Sequence, residues 1–122
     1  MSDQYSLESR RRVIGQVLVC TGCCCGRVER GNPAVPVDWL KRQWRNLGLL
    51  KHLHLTISGC LGPCDLVNVV AIVGPTATTW LGGLDHQDHF AALLDWAVHS
   101  VRDNVLVELP LLLADCQFER FK

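Results

Sequence analysis

The chain has 122 residues, 48% of them hydrophobic, which suits one domain around one core and is too apolar for a disordered segment. Twelve basic and twelve acidic side chains cancel, so no broad field draws it to nucleic acid or to an anionic membrane. Seven cysteines is an odd number, which excludes a complete set of disulfides within the chain.

In chain order, residues 1–10 read as a polar tail. The stretch "SRRRVIGQVLVC" has the outward look of an export signal, but its apolar run Val13–Val19 is short and broken by Gly15 and Gln16. The expectation is therefore a cytoplasmic chain, where free cysteines serve metal or redox work. The same Val-rich stretch predicts a buried strand ending at Cys20. Thr21–Pro36, with Gly22, Gly26, Gly31, Pro33 and Pro36, predicts a loop. Val37, Leu40, Trp44 and Leu47 recur at helical spacing, with Pro36 at the start and Gly48 at the stop. "KHLHLTIS" alternates as a second strand, Leu53, Leu55 and Ile57 on one face and His52, His54 and Thr56 on the other.

A loop carrying Cys60 and Cys64 follows. Leu66–Val73 and "ATTWLGGL" then predict a hairpin of two strands around "GPT". Asp85 or Asp88 is the expected cap of a last long helix with the stripe Phe90, Leu93, Leu94, Ala97 and Val101. Of the four Trp, Trp44 and Trp80 suit the core or a contact face, and Trp39 and Trp96 the surface. Residues 11–102 thus form one α/β domain, β-α-β-β-β-α, with a mixed four-stranded sheet and two main helices. Residues 103–122 form an apolar extension, split by Pro110, that packs on its own domain or on a second chain.

The cysteines carry the chemistry. "VLVCTGCCCGRVERG" holds Cys20, Cys23, Cys24 and Cys25, and "ISGCLGPCD" holds Cys60 and Cys64. A β-α-β unit makes its two strands parallel, so the loops after Cys20 and before Cys60 meet at one rim of the sheet. The pairs Cys20-x4-Cys25 and Cys60-x3-Cys64 offer four thiolates, a set that suits a [2Fe–2S] cluster with two ligands per iron. Gly22, Gly26, Gly59 and Gly62 let backbone approach the sulfurs, and Arg27 and Arg30 offset charge. Zinc held by Cys20-x2-Cys23 with Cys60-x3-Cys64 is an alternative. A thiol–disulfide exchanger using the C-x-x-C of Cys20 and Cys23 is another, weakened by prolines that delay the helix. Cys23 and Cys24 otherwise read as spare loop thiols and Cys116 as a small buried hydrophobe. His52 and His54 read as a polar strand face, and His86 and His89 as a solvated helix start.

"CTGCCCGR" and "CLGPC" resemble the two cluster loops of thioredoxin-like [2Fe–2S] ferredoxins, and are similar to those of the small [2Fe–2S] subunit of respiratory NADH dehydrogenase. The likeness covers roughly Val13 to Val101. It implies a thioredoxin-like fold, one [2Fe–2S] cluster on Cys20, Cys25, Cys60 and Cys64, and single-electron transfer to a redox partner protein. It also implies a homodimer; with nothing resembling a nucleotide loop, a flavin site or a nucleophile with a base, no catalytic role of the chain's own is expected. The loop type "ISGCLGPCDL" implies an association with cobalamin and cobalt metabolism. The chain departs from the pattern in having Cys23 and Cys24, and in lacking the helical N-terminal part of the respiratory subunit.

Overall fold

Val17 and Val19 are both fully buried, as suits the first strand, β1 (Gly15–Cys20), which lies in the interior of the sheet. This is a computed structural model, and it describes residues 5–122. Among these residues β1 is followed by α1 (Val37–Asn46), β2 (Leu53–Ser58), β3 (Val70–Val73) and β4 (Thr78–Leu81). The chain ends with α2 (Gln87–Asp103), α3 (Leu111–Ala114) and β5 (Gln117–Phe118). The strand order is β2-β1-β3-β4-β5. β1 and β2 run parallel, with Cys20 opposite Ser58, and every other pair is antiparallel.

One face of the sheet is dry. Val17, Val19, Leu53, Val70, Ile72 and Leu81 point into a core closed by Leu40 and Trp44 of α1 and by Phe90, Leu93 and Ala97 of α2. The Trp44 indole N–H donates to the Leu53 carbonyl at 2.9 Å, so this large side chain is buried without orphaning its polar atom. Gly48, at φ 66°, ends the segment after α1 in the left-handed conformation that glycine alone takes at little cost.

The structure is α/β with a mixed sheet, but of five strands and three helices, not four strands and two. The additions come from the extension. After Pro110 breaks the chain, α3 buries Leu113 completely and β5 pairs with β4. A two-residue strand is too short to show periodicity in sequence. Two further expectations are corrected in α2. Its cap is His86, whose Nδ1 accepts from the Asp88 N–H at 3.1 Å, while His89 Nδ1 accepts from the His86 N–H at 3.2 Å. Asp85 and Asp88 flank this reciprocal box and do not make it. Trp96, expected near the surface, is 3% exposed, because Val107 beyond the helix folds back and accepts its indole N–H at 2.8 Å.

Candidate metal centre

The parallel pairing of β1 and β2 delivers both cysteine loops to one rim. Where β1 ends, the Cys20 N–H donates to the Val69 carbonyl at 3.0 Å and the Thr21 N–H to the Ser58 carbonyl at 3.0 Å. The Thr21 hydroxyl donates to the same Ser58 carbonyl at 2.7 Å. The next residue, Gly22, lies so close to the second loop that a Cβ there would stand 2.9 Å from the Cys60 nitrogen. Any other residue would push the loops apart.

Beyond that contact, three successive carbonyls of the first loop, from Gly22 to Cys24, are held by side chains. Arg27 donates to Gly22 O at 3.0 Å, Arg30 to Cys23 O at 2.7 Å, and Asn32 to Cys24 O at 2.9 Å. The Gly26 N–H donates to Oδ1 of Asn68, a 1% exposed amide just before β3, at 2.9 Å. The second loop turns at Gly62, φ 118°, and Cys64 opens a 3-10 turn that runs to Leu66.

Cys20, Cys23, Cys24, Cys25, Cys60 and Cys64 all line one small recess, with Gly62, Pro63 and Val69. They lie in two tiers. Cys20 and Cys25, each 3% exposed, pack with Val69 as a small apolar cluster. Cys23 and Cys60 are exposed, and Cys24 and Cys64 half-buried. Within this outer tier the Sγ separations are 3.3 Å for Cys60–Cys64, 3.4 Å for Cys23–Cys64 and 3.6 Å for Cys23–Cys24. Cys23, Cys24 and Cys64 present sulfurs all within 4.8 Å of one another, a grouping able to hold a metal ion. The four thiols assigned from the sequence therefore share the recess, but the group of three mutually close sulfurs is Cys23, Cys24 and Cys64, two of which were not assigned. Cys116 lies apart, donating to the Leu112 carbonyl within the tail.

Burial pushes the Cys25 thiol up to about 12; a Val69 backbone contact opposes the shift and the Cys20 thiol adds to it. Cys64 is also raised, by its contact with Cys60 and then by that with Cys23. Both thiols therefore carry protons at neutral pH until a metal displaces them. The sign for stability follows from linkage. Above the ordinary thiol value of 9.0, native Cys25 keeps a proton that the unfolded chain has lost. Its contribution is complete below that value and disappears as the pH climbs through about 12. The metal-free chain is expected to lose stability steadily across this alkaline window, and Cys25→Ala to flatten the loss, as read from denaturant midpoints at stepped pH.

Two residues outside the motifs also touch the site. Asn68 ties the first loop to the rest of the fold. Arg120, beyond β5, lays its guanidinium over Trp80 and Phe121, 5.5 and 5.2 Å from the ring centroids. Its Nη2 stands 2.5 Å from where a Cβ on Gly62 would be, so a cation lies against the second loop. The Nε of Arg120 and the Nε1 of Trp80 are buried without a hydrogen-bond partner among the described residues. A lone amide in the apolar run "LVNVVAIVG" was a readable signal for Asn68; nothing in "QFERFK" pointed Arg120 to this rim.

The donor set is soft. Thiolates select zinc, copper(I) and iron–sulfur units over hard cations. Four thiols drawn from two loops, with glycine at the points of closest approach, also fit the ligand needs of a [2Fe–2S] group. Compared with family models, curated proteins and solved structures, the chain gives no match. The fold and the site define an α/β protein with six thiols around one recess, three of which, Cys23, Cys24 and Cys64, could hold a metal ion. Among the described residues no helix is long and apolar enough to cross a membrane.

Proposed function

We propose that this chain is a thioredoxin-like [2Fe–2S] ferredoxin, a cytoplasmic carrier of single electrons and not a catalyst. The observation that carries the reading is the in-register parallel pairing of β1 with β2, with four thiols of the first loop and two of the second around one recess at the sheet rim. In this reading Cys20 and Cys25 supply the first loop's ligands, and Cys60 and Cys64 the second's. The bound group supplies a reversible one-electron couple. The chain's own part is to hold the thiolates, exclude water behind Cys20 and Cys25 with Val69, and place positive charge nearby through Arg27, Arg30 and Arg120. Cys60 at the exposed rim keeps the site within reach of a partner redox protein. The exposed Leu111, Leu112 and Phe121 of the tail fit contact with a second copy. A link to cobalamin and cobalt metabolism rests on the loop resemblance alone.

A second reading, metal delivery or sensing, is favoured by the close approach of Cys23, Cys24 and Cys64. Disulfide exchange gains no such support, because α1 begins only at Val37 and brings no helix N-terminus to Cys20 or Cys23. Analysis of anaerobically purified chain decides. Two irons and two acid-labile sulfides per chain, a visible absorption spectrum and a one-electron couple are expected, with sedimentation at twice the chain mass. One zinc and no sulfide would replace the first reading by the second.

A further inference from the structure

The cluster reading leaves Cys23 and Cys24 without work, yet the fold takes particular care of both. Arg30 and Asn32 spend their side-chain donors on the carbonyls of these two residues, at 2.7 and 2.9 Å. The carbonyls of Cys20 and Cys25 receive no such side-chain bond among the described residues. In a tetrahedral zinc–thiolate site a metal–sulfur bond of about 2.3 Å makes each sulfur–sulfur edge about 3.8 Å. Three of the six edges of the outer tier already measure 3.3, 3.4 and 3.6 Å, and Cys23, Cys24 and Cys64 lie within 4.8 Å of one another; Cys60 stands outside that grouping and must swing inward by roughly 1 Å to close the shell around an ion. These thiols also face solvent, which gives the ion an entry path, whereas Cys20 and Cys25 lie beneath them.

The geometry points to two overlapping ligand sets in the one recess. The inner set takes Cys20 and Cys25 from the first loop. The outer set takes Cys23 and Cys24, and with Cys60 and Cys64 forms a mononuclear site for one thiophilic divalent cation of the zinc class. Cys60 and Cys64 belong to both sets, so a cation in the outer one excludes a diiron group from the inner one. Zinc stands above ferrous iron in intrinsic affinity for such donors, and in the outer site it acts as an inhibitor of cluster assembly. The outer site needs neither iron nor sulfide, and it stands independently of the ferredoxin reading.

The test uses the full-length chain, metal-free and reduced, titrated anaerobically with cobalt(II) as the optical probe. One cobalt per chain is expected, with thiolate-to-metal charge-transfer and tetrahedral ligand-field bands, displaced by one equivalent of zinc. Cys23→Ser with Cys24→Ser should weaken cobalt binding at least as much as the roughly 100-fold that loss of an outer-shell partner can cost. Cys23 and Cys24 contribute little to the core, and far-ultraviolet circular dichroism checks that this variant is folded. Cys25→Ala should bind cobalt as the parent does. Should Cys20→Ala also be made and unfold, Cys25→Ala alone carries that arm. Tight cobalt binding by the Cys23→Ser, Cys24→Ser chain overturns the proposal, as does loss of cobalt from folded Cys25→Ala or no cobalt bound by the parent. No iron or sulfide is present, so failure here is distinct from failure of the cluster analysis.

Discussion

Cys64→Ser is expected to leave the chain unable to hold either a single cation or a diiron group. Cys64 sits between the two tiers' shared partner and the outer thiols, 3.3 Å from Cys60 and 3.4 Å from Cys23. Its backbone is fixed as the first residue of the 3-10 turn, with its N–H donating to Gly62 O at 2.8 Å. The second loop has no thiol besides Cys60, and Cys60 is already used by both ligand sets. A serine hydroxyl does not substitute: it keeps its proton at neutral pH and is a hard donor where soft ones are required. The two tiers make the rest of the series asymmetric. Cys24→Ser should cost cobalt binding and spare iron–sulfide loading, Cys25→Ser should do the reverse, and Cys64→Ser should lose both. Fold should survive in Cys64→Ser, since the thiol packs against other thiols at the rim and not against the helical core. Iron, sulfide and cobalt content of the folded variant measure this directly. Stoichiometric retention of either load by Cys64→Ser would mean that the recess is not where metal binds.

The rim itself was legible in the sequence because it follows from topology. A strand ending at Cys20, a helix, and a strand ending just before Cys60 admit a parallel pair joined by a right-handed crossover, and Cys20 does lie opposite Ser58. The core residues of β1, α1 and β2 were legible for the same reason: Val17, Leu40, Trp44 and Leu53 follow one period each. What escaped depends on contacts between distant segments. Leu111 and Leu113 are equally apolar in sequence, yet one is 81% exposed and the other fully buried, because Pro110 sets the phase of a helix of one turn. Trp96 could not be placed before the carbonyl of Val107 was known to meet it. The tiering of "CTGCCC" was hidden too. Successive residues of an irregular loop have no fixed period, and the side-chain bonds from Arg30 and Asn32 decide which sulfurs face outward.

Asn68→Ala is expected to be strongly damaging although it removes no cysteine and no core hydrophobe. The buried Asn68 amide joins the start and the end of the first cysteine loop to the segment before α2. Its Oδ1 accepts from Gly26 N–H at 2.9 Å, and its Nδ2 donates to Pro33, Ala34 and Leu84 carbonyls at 3.1, 3.2 and 3.0 Å. Two amide hydrogens serve three carbonyls, so one is shared. Truncation leaves the Gly26 N–H and the Leu84 carbonyl facing a void, at about 1–3 kcal/mol for each group stranded without water. A total near 3 kcal/mol is a large part of the roughly 5–15 kcal/mol that holds a domain of this kind. It should lower the melting temperature of the metal-free chain by roughly 10 °C. The loss should be local in its functional effect. Gly26 directly follows Cys25, so releasing it loosens the inner tier first, and iron–sulfide loading should fall before cobalt binding does. Asn68→Asp separates the two halves of the junction. It keeps the acceptor for Gly26 but turns a carboxylate toward three carbonyls, so it should be at least as destabilised at neutral pH and recover in part on acidification, when the protonated acid again offers a donor. A melting temperature for Asn68→Ala within about 2 °C of the parent, less than the shift from 1 kcal/mol in a domain this size, would show that the first cysteine loop is anchored by something other than this amide.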